Sequence, residues 1–224
     1  MQSFSFAQDI EAYTLIGSRK YAYNKKGERI EKQSFDAENK RISFVHYIFD
    51  EKGNKIESLK YHGDSTLLSR YIYIYSPENL RIKSIKCDYI KNTESRKVYI
   101  NNDKGENVRI EYFNDNGLSK YTVITYTEKG EYESRLNYNE NGLLTSETYY
   151  RYIYKNNRIV EKDKYNGANE LTLHSIYEYD EKGRKHSYSS KYASSRRKSK
   201  KRIYQYNSKG QCVRSLVYES IKTK

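Results

Sequence analysis

Along most of this chain, residues of two different characters alternate one by one. Tyr71, Tyr73 and Tyr75 alternate with Ile72 and Ile74, and Tyr121, Val123 and Thr125 alternate with Thr122, Ile124 and Tyr126. Successive side chains of a strand leave on opposite faces, so both faces of these segments carry rings or aliphatics. The residues involved (Tyr, Ile, Thr, Val, Phe) suit a pleated, half-buried surface. The alternation is interrupted at regular intervals. Tyr47-Ile48-Phe49-Asp50-Glu51-Lys52-Gly53 reads as a strand end running into a tight turn, and the chain repeats it. Copies begin at 21, 47, 73, 99, 124, 152, 177 and 204, in steps of 25 to 28 residues. A fixed period in this range marks a repeat architecture.

The turns have a mechanism. Asp or Asn opens them, where its side chain can bond the backbone two residues on. Glycine closes them three residues later, where a left-handed backbone is needed. Gly27, Gly53, Gly105, Gly130, Gly183 and Gly210 take that structural role. This is a hairpin turn of type I followed by a glycine bulge. A second turn falls about halfway through most repeats, at Phe35–Asn39, Tyr61–Asp64, Phe113–Gly117, Tyr138–Gly142 and Tyr165–Gly167. The unit is therefore strand, turn, strand, turn, with strands of roughly eight or nine residues, about 28 Å long.

The pattern predicts an all-β fold. Antiparallel hairpins of about 26 residues stack in sequence as an elongated or spiralling sheet, with the terminal repeats as caps. A two-sheet sandwich would not keep so regular a period. Residues 1–20 form an N-terminal segment, with a first strand near Tyr13–Ile16, and 21–220 a single continuous array of about eight repeats.

Tyr-x-Tyr-Asp-x-x-Gly, as at Tyr177–Gly183, resembles the tyrosine–aspartate (YD) repeats of bacterial and animal surface or toxin proteins, and more loosely MORN-type hairpin repeats. The resemblance runs from about Tyr21 to Tyr218. It implies a spiralling antiparallel sheet and an extracellular or envelope setting, and it brings no catalytic residue. Position four departs from Asp at Ser76, Asn102, Thr127 and Lys155.

Composition refines this picture. Leu, Ile, Val and Phe supply 44 of 224 residues, which with a net charge of +13 approaches the disordered class. The 27 tyrosines restore the expectation of a folded chain, because each buries a ring and keeps a polar tip. The single proline, Pro77, suits a chain of paired strands. Cys87 and Cys212 lie in no metal or redox spacing and are expected as unpaired thiols, with one disulfide as the alternative. No apolar run is long enough for a membrane-spanning helix. Ser3–Gln8, with small residues at Ser5 and Ala7, resembles the tail of a secretory leader.

Candidate chemistry is sparse. His46, His62, His174 and His186 have no metal-ligand spacing and read as surface or strand-edge residues. No nucleophile elbow or phosphate loop occurs, and Asp36, Asp50 and Asp180 are explained by turns. The chain is expected to be no enzyme and to take no cofactor or metal. Its one local anomaly is a basic run, Arg196, Arg197, Lys198, Lys200, Lys201 and Arg202, with Ser199 between. It reads either as a polyanion site or as a charged edge strand, and as a strand its cations would divide between two faces. Tyrosines beside cations could also stack on bases or sugar rings. The expected function is a non-enzymatic scaffold or binding protein of the bacterial envelope or exterior, periplasmic, cell-surface or secreted, with a protein, glycan or polyanion as partner. The alternatives are a cytoplasmic antitoxin-like or immunity-like module and a nucleic-acid binder.

Overall fold

The computed structural model describes residues 13–194 and 197–221. The leader-like Ser3–Gln8 and Arg196 of the basic run lie outside the described residues.

The described residues form sixteen strands: β1 Tyr13–Tyr23, β2 Arg29–Phe35, β3 Arg41–Phe49, β4 Lys55–His62, β5 Leu67–Tyr75, β6 Arg81–Asp88, β7 Thr93–Asn101, β8 Asn107–Asn114, β9 Gly117–Tyr126, β10 Tyr132–Asn139, β11 Leu144–Lys155, β12 Arg158–Asn166, β13 Leu171–Tyr179, β14 Lys185–Tyr192, β15 Lys200–Tyr206 and β16 Cys212–Ser220. Each pairs antiparallel with its neighbours in sequence, as a stack of hairpins should. The expected open, elongated or spiralling sheet is corrected at its ends: β1 pairs with β16 and the sheet closes into a barrel. Among the described residues the first and last hairpins are not caps, because β1 and β16 pair with each other. The first strand begins before the first motif, so the boundary expected at Tyr21 falls inside β1.

Closure has a physical reason in the repeat. Three contacts join successive hairpins, and all three recur at the seam. A serine on one hairpin bonds a motif tyrosine of the next, Ser58 to Tyr73 at 3.1 Å and Ser84 to Tyr99 at 3.0 Å. At the seam Ser215 meets Tyr21 at 3.2 Å. Tyr75 donates its hydroxyl to the Lys55 carbonyl at 3.0 Å, and across the seam Tyr23 donates to that of Cys212 at 2.9 Å. The Glu28 side chain lies against Gly53, as that of Gln211 lies against Gly27. The last hairpin therefore meets the first as any hairpin meets its neighbour. Closure also removes the open edges that an array of hairpins would leave.

The motif turns follow one plan. In the turn after β3, the Asp50 N–H donates to the Asn54 carbonyl at 2.9 Å and the Gly53 N–H to the Asp50 carbonyl at 3.1 Å. The opening side chain accepts from the N–H four residues on, at 2.7 Å for Asp50 and 2.8 Å for Asp180; the bond two residues on is the lesser one, as from Lys104 to Asn102. Gly53 holds φ +84°. The same left-handed position is filled by Asn39, Ser65, Asn79 and Asn169 in other turns; asparagine tolerates this region better than most residues with a side chain. The repeat at Tyr152 differs. It turns through Asn156 and Asn157, both at positive φ, a two-residue connection. The segments between β6 and β7 and between β14 and β15 carry neither the motif nor the mid-repeat pattern in sequence.

Candidate functional site

The barrel wall has two unlike faces. Partners in register share a face, so Tyr21, Lys32, Val45, Lys60 and Ser69 lie on one side of β1 to β5. Tracing this side round the barrel gathers every motif opener: Tyr21, Tyr47, Tyr73, Tyr99, Ile124, Tyr152, Tyr177 and Tyr204. It is the concave side. Side chains from β9 to β14 on it converge on one cavity, and the charge of Arg202 on β15 is felt at Lys32 on β2, with β1 and β16 between.

This lumenal face combines tyrosine, serine and cations. Arg19, Arg29, Lys32, Lys55, Arg81, Arg135, Lys162, Lys185 and Arg202 stand on it. Several lie over tyrosine rings: Arg29 over Tyr21 at 4.6 Å, Lys55 over Tyr73 at 4.7 Å, Arg81 over Tyr99 at 4.3 Å and Lys185 over Tyr177 at 4.5 Å. The ring quadrupole attracts these cations. Among the described strand residues, the lumenal carboxylates are Asp88 and Glu219, and both have partners. Asp88 lies 2.6 Å from Lys86, and Glu219 takes Lys198 at 3.5 Å and Lys200 at 3.6 Å.

Electrostatics follow from this crowding. Burial pushes the ammonium groups of Lys32, Lys162 and Lys185 below the ordinary lysine range, and neighbouring cations add to it at Lys32 and Lys162. Burial raises the phenols of Tyr126 and Tyr177 to about 12, and that of Tyr152 also upward. The Nε atoms of Arg81, Arg135 and Arg202 are buried without a hydrogen-bond partner.

The outer face is the opposite in kind. Arg70 pairs with Glu57 at 2.6 Å and Arg109 with Glu111 at 3.0 Å. His174 lies 2.7 Å from Asp163, held between strands rather than at a strand edge. Between these pairs stand aliphatics such as Ile48, Ile74 and Ile100, about two-fifths exposed. Cys87 lies on this side and Cys212 on the lumenal side, and both thiols are free.

The basic run is divided by the fold. Lys200 and Arg202 face the lumen, Lys201 faces out, and Lys198 reaches Glu219. Arg197 lies over the Tyr192 ring at 5.2 Å. The fold thus divides the described part of the run between the two faces. Sequence reasoning missed the remaining lumenal cations, although a signal was present. Arg29, Lys55, Arg81 and Lys185 each stand five residues after a turn opener. Among the described residues no cluster of His, Cys, Asp or Glu could hold a metal, and no helix is long and apolar enough to cross a membrane.

No family model matches the chain, and no curated protein matches it. Among solved structures, the fold is similar to a porin-like protein from Bacteroides uniformis, with a TM-score of 0.50 and 10% identity over 93% of this chain and 96% of that one. The TccC3 toxin component, solved with TcdB2 and Cdc42, is also matched, at a TM-score of 0.39 and 14% identity. That match covers 92% of this chain, which spans 13% of the length of its counterpart.

Proposed function

We propose that this chain is a non-enzymatic binding protein of the bacterial envelope or exterior that draws an anionic ligand into its lumen. The observation that carries this reading is the segregation of charge across the wall. Carboxylates of the described strands stand mainly outside, several beside a cation as Glu57 is beside Arg70 and Glu111 beside Arg109, whereas the lumenal cations outnumber the two lumenal strand carboxylates, Asp88 and Glu219, which are both paired. A concave wall of one sign concentrates counter-ions within it. A closed barrel of sixteen strands is also wide enough to leave an aqueous interior.

A lipid-facing barrel is the reading that the porin-like fold brings to mind, and the outer wall argues against it. Arg70, Arg109, Glu111 and Asp163 lie within strands on that wall, and Arg or Lys at a bilayer midplane costs about 2–4 kcal/mol each. Envelope placement here means a barrel in water.

The test is retention of a sulfated polysaccharide at rising salt. The parent is expected to bind with a steep salt dependence. Replacing lumenal Lys32, Lys55 and Arg81 with Met should weaken binding, and replacing outer Arg70, Arg96 and Arg109 should not. If the outer set proves the more damaging, the lumen is not the site.

A further inference from the structure

The lumen contains one region more specific than its general charge. Between β9 and β14 lies a cavity of about 380 Å³, lined by Tyr126, Tyr132, Tyr152, Tyr177, Lys162 and Lys185 among others. That volume falls in the range of small-molecule sites. The Lys162 ammonium lies 4.4 Å from the ring centre of Tyr150 and 5.3 Å from that of Tyr152, and Lys185 lies 4.5 Å from Tyr177. Among the described residues, neither lysine has a carboxylate within ion-pair distance. The charges felt at Lys162 are those of Lys164 and Arg135, both cations. Glu131 at the rim is taken up by the Thr127 hydroxyl at 2.8 Å. The cavity therefore presents two half-buried ammonium groups against one rim carboxylate, a net positive charge.

The tyrosines narrow the choice of ligand. Tyr126, Tyr152 and Tyr179 donate their hydroxyls to the carbonyls of Asn107, Tyr132 and Ile159 at 2.9–3.0 Å, which fixes their rings. Ammonium groups already occupy one face of Tyr150, Tyr152 and Tyr177, so a base stacking there would have to displace a cation. A nucleobase needs a free ring face to stack on. A sugar needs hydroxyl partners, and the half-buried Tyr177 hydroxyl has none among the described residues.

We propose that this cavity binds a sugar bearing a carboxylate or phosphate, its anion held by Lys162 and Lys185 and its hydroxyls by Tyr177 and its neighbours. The assignment rests on the reading of the lumen as an anion-binding chamber and names the ligand class within it.

The experiment is calorimetric titration of the full chain with glucuronate, glucose 6-phosphate, glucose, inorganic phosphate and a uridine oligonucleotide. Both acidic sugars are expected to bind, and the other three to bind at least about tenfold more weakly. The double substitution Lys162→Met and Lys185→Met should weaken the acidic sugars about tenfold or more, while Arg70→Met with Arg109→Met, on the outer face, leaves them unchanged. Tyr177→Phe, which removes one oxygen, should cost about fivefold and serves if the double variant does not fold. Glucose binding as tightly as glucuronate, phosphate alone matching glucose 6-phosphate, or the oligonucleotide outcompeting either would overturn the assignment. So would a folded double variant with unchanged affinity. Sulfated polysaccharide separates the two levels. A double variant that keeps the polysaccharide but loses glucuronate supports both the chamber and the sugar site. Polysaccharide retained by a parent that binds no acidic sugar leaves the chamber standing and rejects the site. A parent that binds neither ends both.

Discussion

The two faces of this barrel wall are built from alternate residues of the same strands, yet they solve opposite packing problems. On the concave side neighbouring side chains converge. Large rings fit there only beside small residues, so tyrosines alternate with serines such as Ser58, Ser84 and Ser215, buried beneath them and bonded to their hydroxyls. On the convex side neighbours diverge. Aliphatics remain about two-fifths exposed, and charges pair with cross-strand neighbours or along the strand, as in Glu57 with Arg70 and Arg109 with Glu111. Only Phe44, Tyr99 and Ile124 are buried hydrophobics among the described residues. The fold is therefore held by its wall, through ladder hydrogen bonds and ring contacts, and the lumen is left free to hold something else.

The comparison can be broken most strongly at Ile124, which is 2% exposed in the lumenal ring. Ile124→Lys would bury a second cation opposite Arg135 in the most crowded part of the wall, and should cost at least about 3 kcal/mol. Ile48→Lys on the outer face, opposite Glu57, should stay within about 0.5 kcal/mol. Denaturant melts of the two variants compare them, and equal losses would mean that the faces do not differ in packing.

Next come the turns. At Gly183 an added Cβ would meet the Arg158 guanidinium at 2.0 Å, whereas at Gly210 it meets nothing within 4 Å. Both glycines hold positive φ, at +74° and +77°. Gly210→Val should lose about 1–2 kcal/mol from backbone strain alone. Gly183→Val should lose somewhat more, because the arginine must also move. If either variant is as stable as the parent, the left-handed turn is wrong.

A smaller effect is expected from single hydroxyls. Tyr75→Phe removes the bond to the Lys55 carbonyl on the lumenal side and should cost about 1 kcal/mol. Tyr149→Phe, on the outer face and bonded to Glu147, should cost close to nothing. Thermal melts of the pair give the difference directly.

The least disruptive test is alkaline titration. Tyr126 and Tyr177 are pushed up to about 12 by burial, above the unfolded value near 10. A raised acid binds its proton more tightly when folded, so this contribution is intact below about pH 10 and is lost as pH rises towards 12. Lys32, Lys162 and Lys185 are lowered instead, so their penalty at neutral pH is relieved as pH climbs towards the unfolded lysine value. Stability should hold or rise slightly through mild alkali and then fall. Tyrosinate absorbance should show the lumenal phenols ionising late, and early ionisation of Tyr177 would place it in open solvent. An acidic ligand bound at Lys162 and Lys185 should raise those two lysines.

Much of this was legible in the chain. The period located eight motif turns, and the Tyr-Ile alternation in β5 separated the two faces correctly. One pairing was legible but overlooked: the turn opener and the residue four places on are chemically complementary. Asn24 bonds Glu28 and Asn102 bonds Glu106, whereas Asp180 bonds Arg184 and Asp50 bonds Asn54. The basic run divides between the faces, as its reading as a strand expected, because the pleat disperses a cluster along the sequence, while cations about 26 residues apart are brought together by the repeat.

The sequence by itself determined the strands, the turns and which residues share a face, because these follow from local backbone preference and a period of two. Only the tertiary structure decided that the sheet closes, and with closure which face became the inside. Both depend on curvature accumulated over sixteen strands until Ser215 meets Tyr21, 194 residues apart in the chain. A short motif carries no measure of that sum.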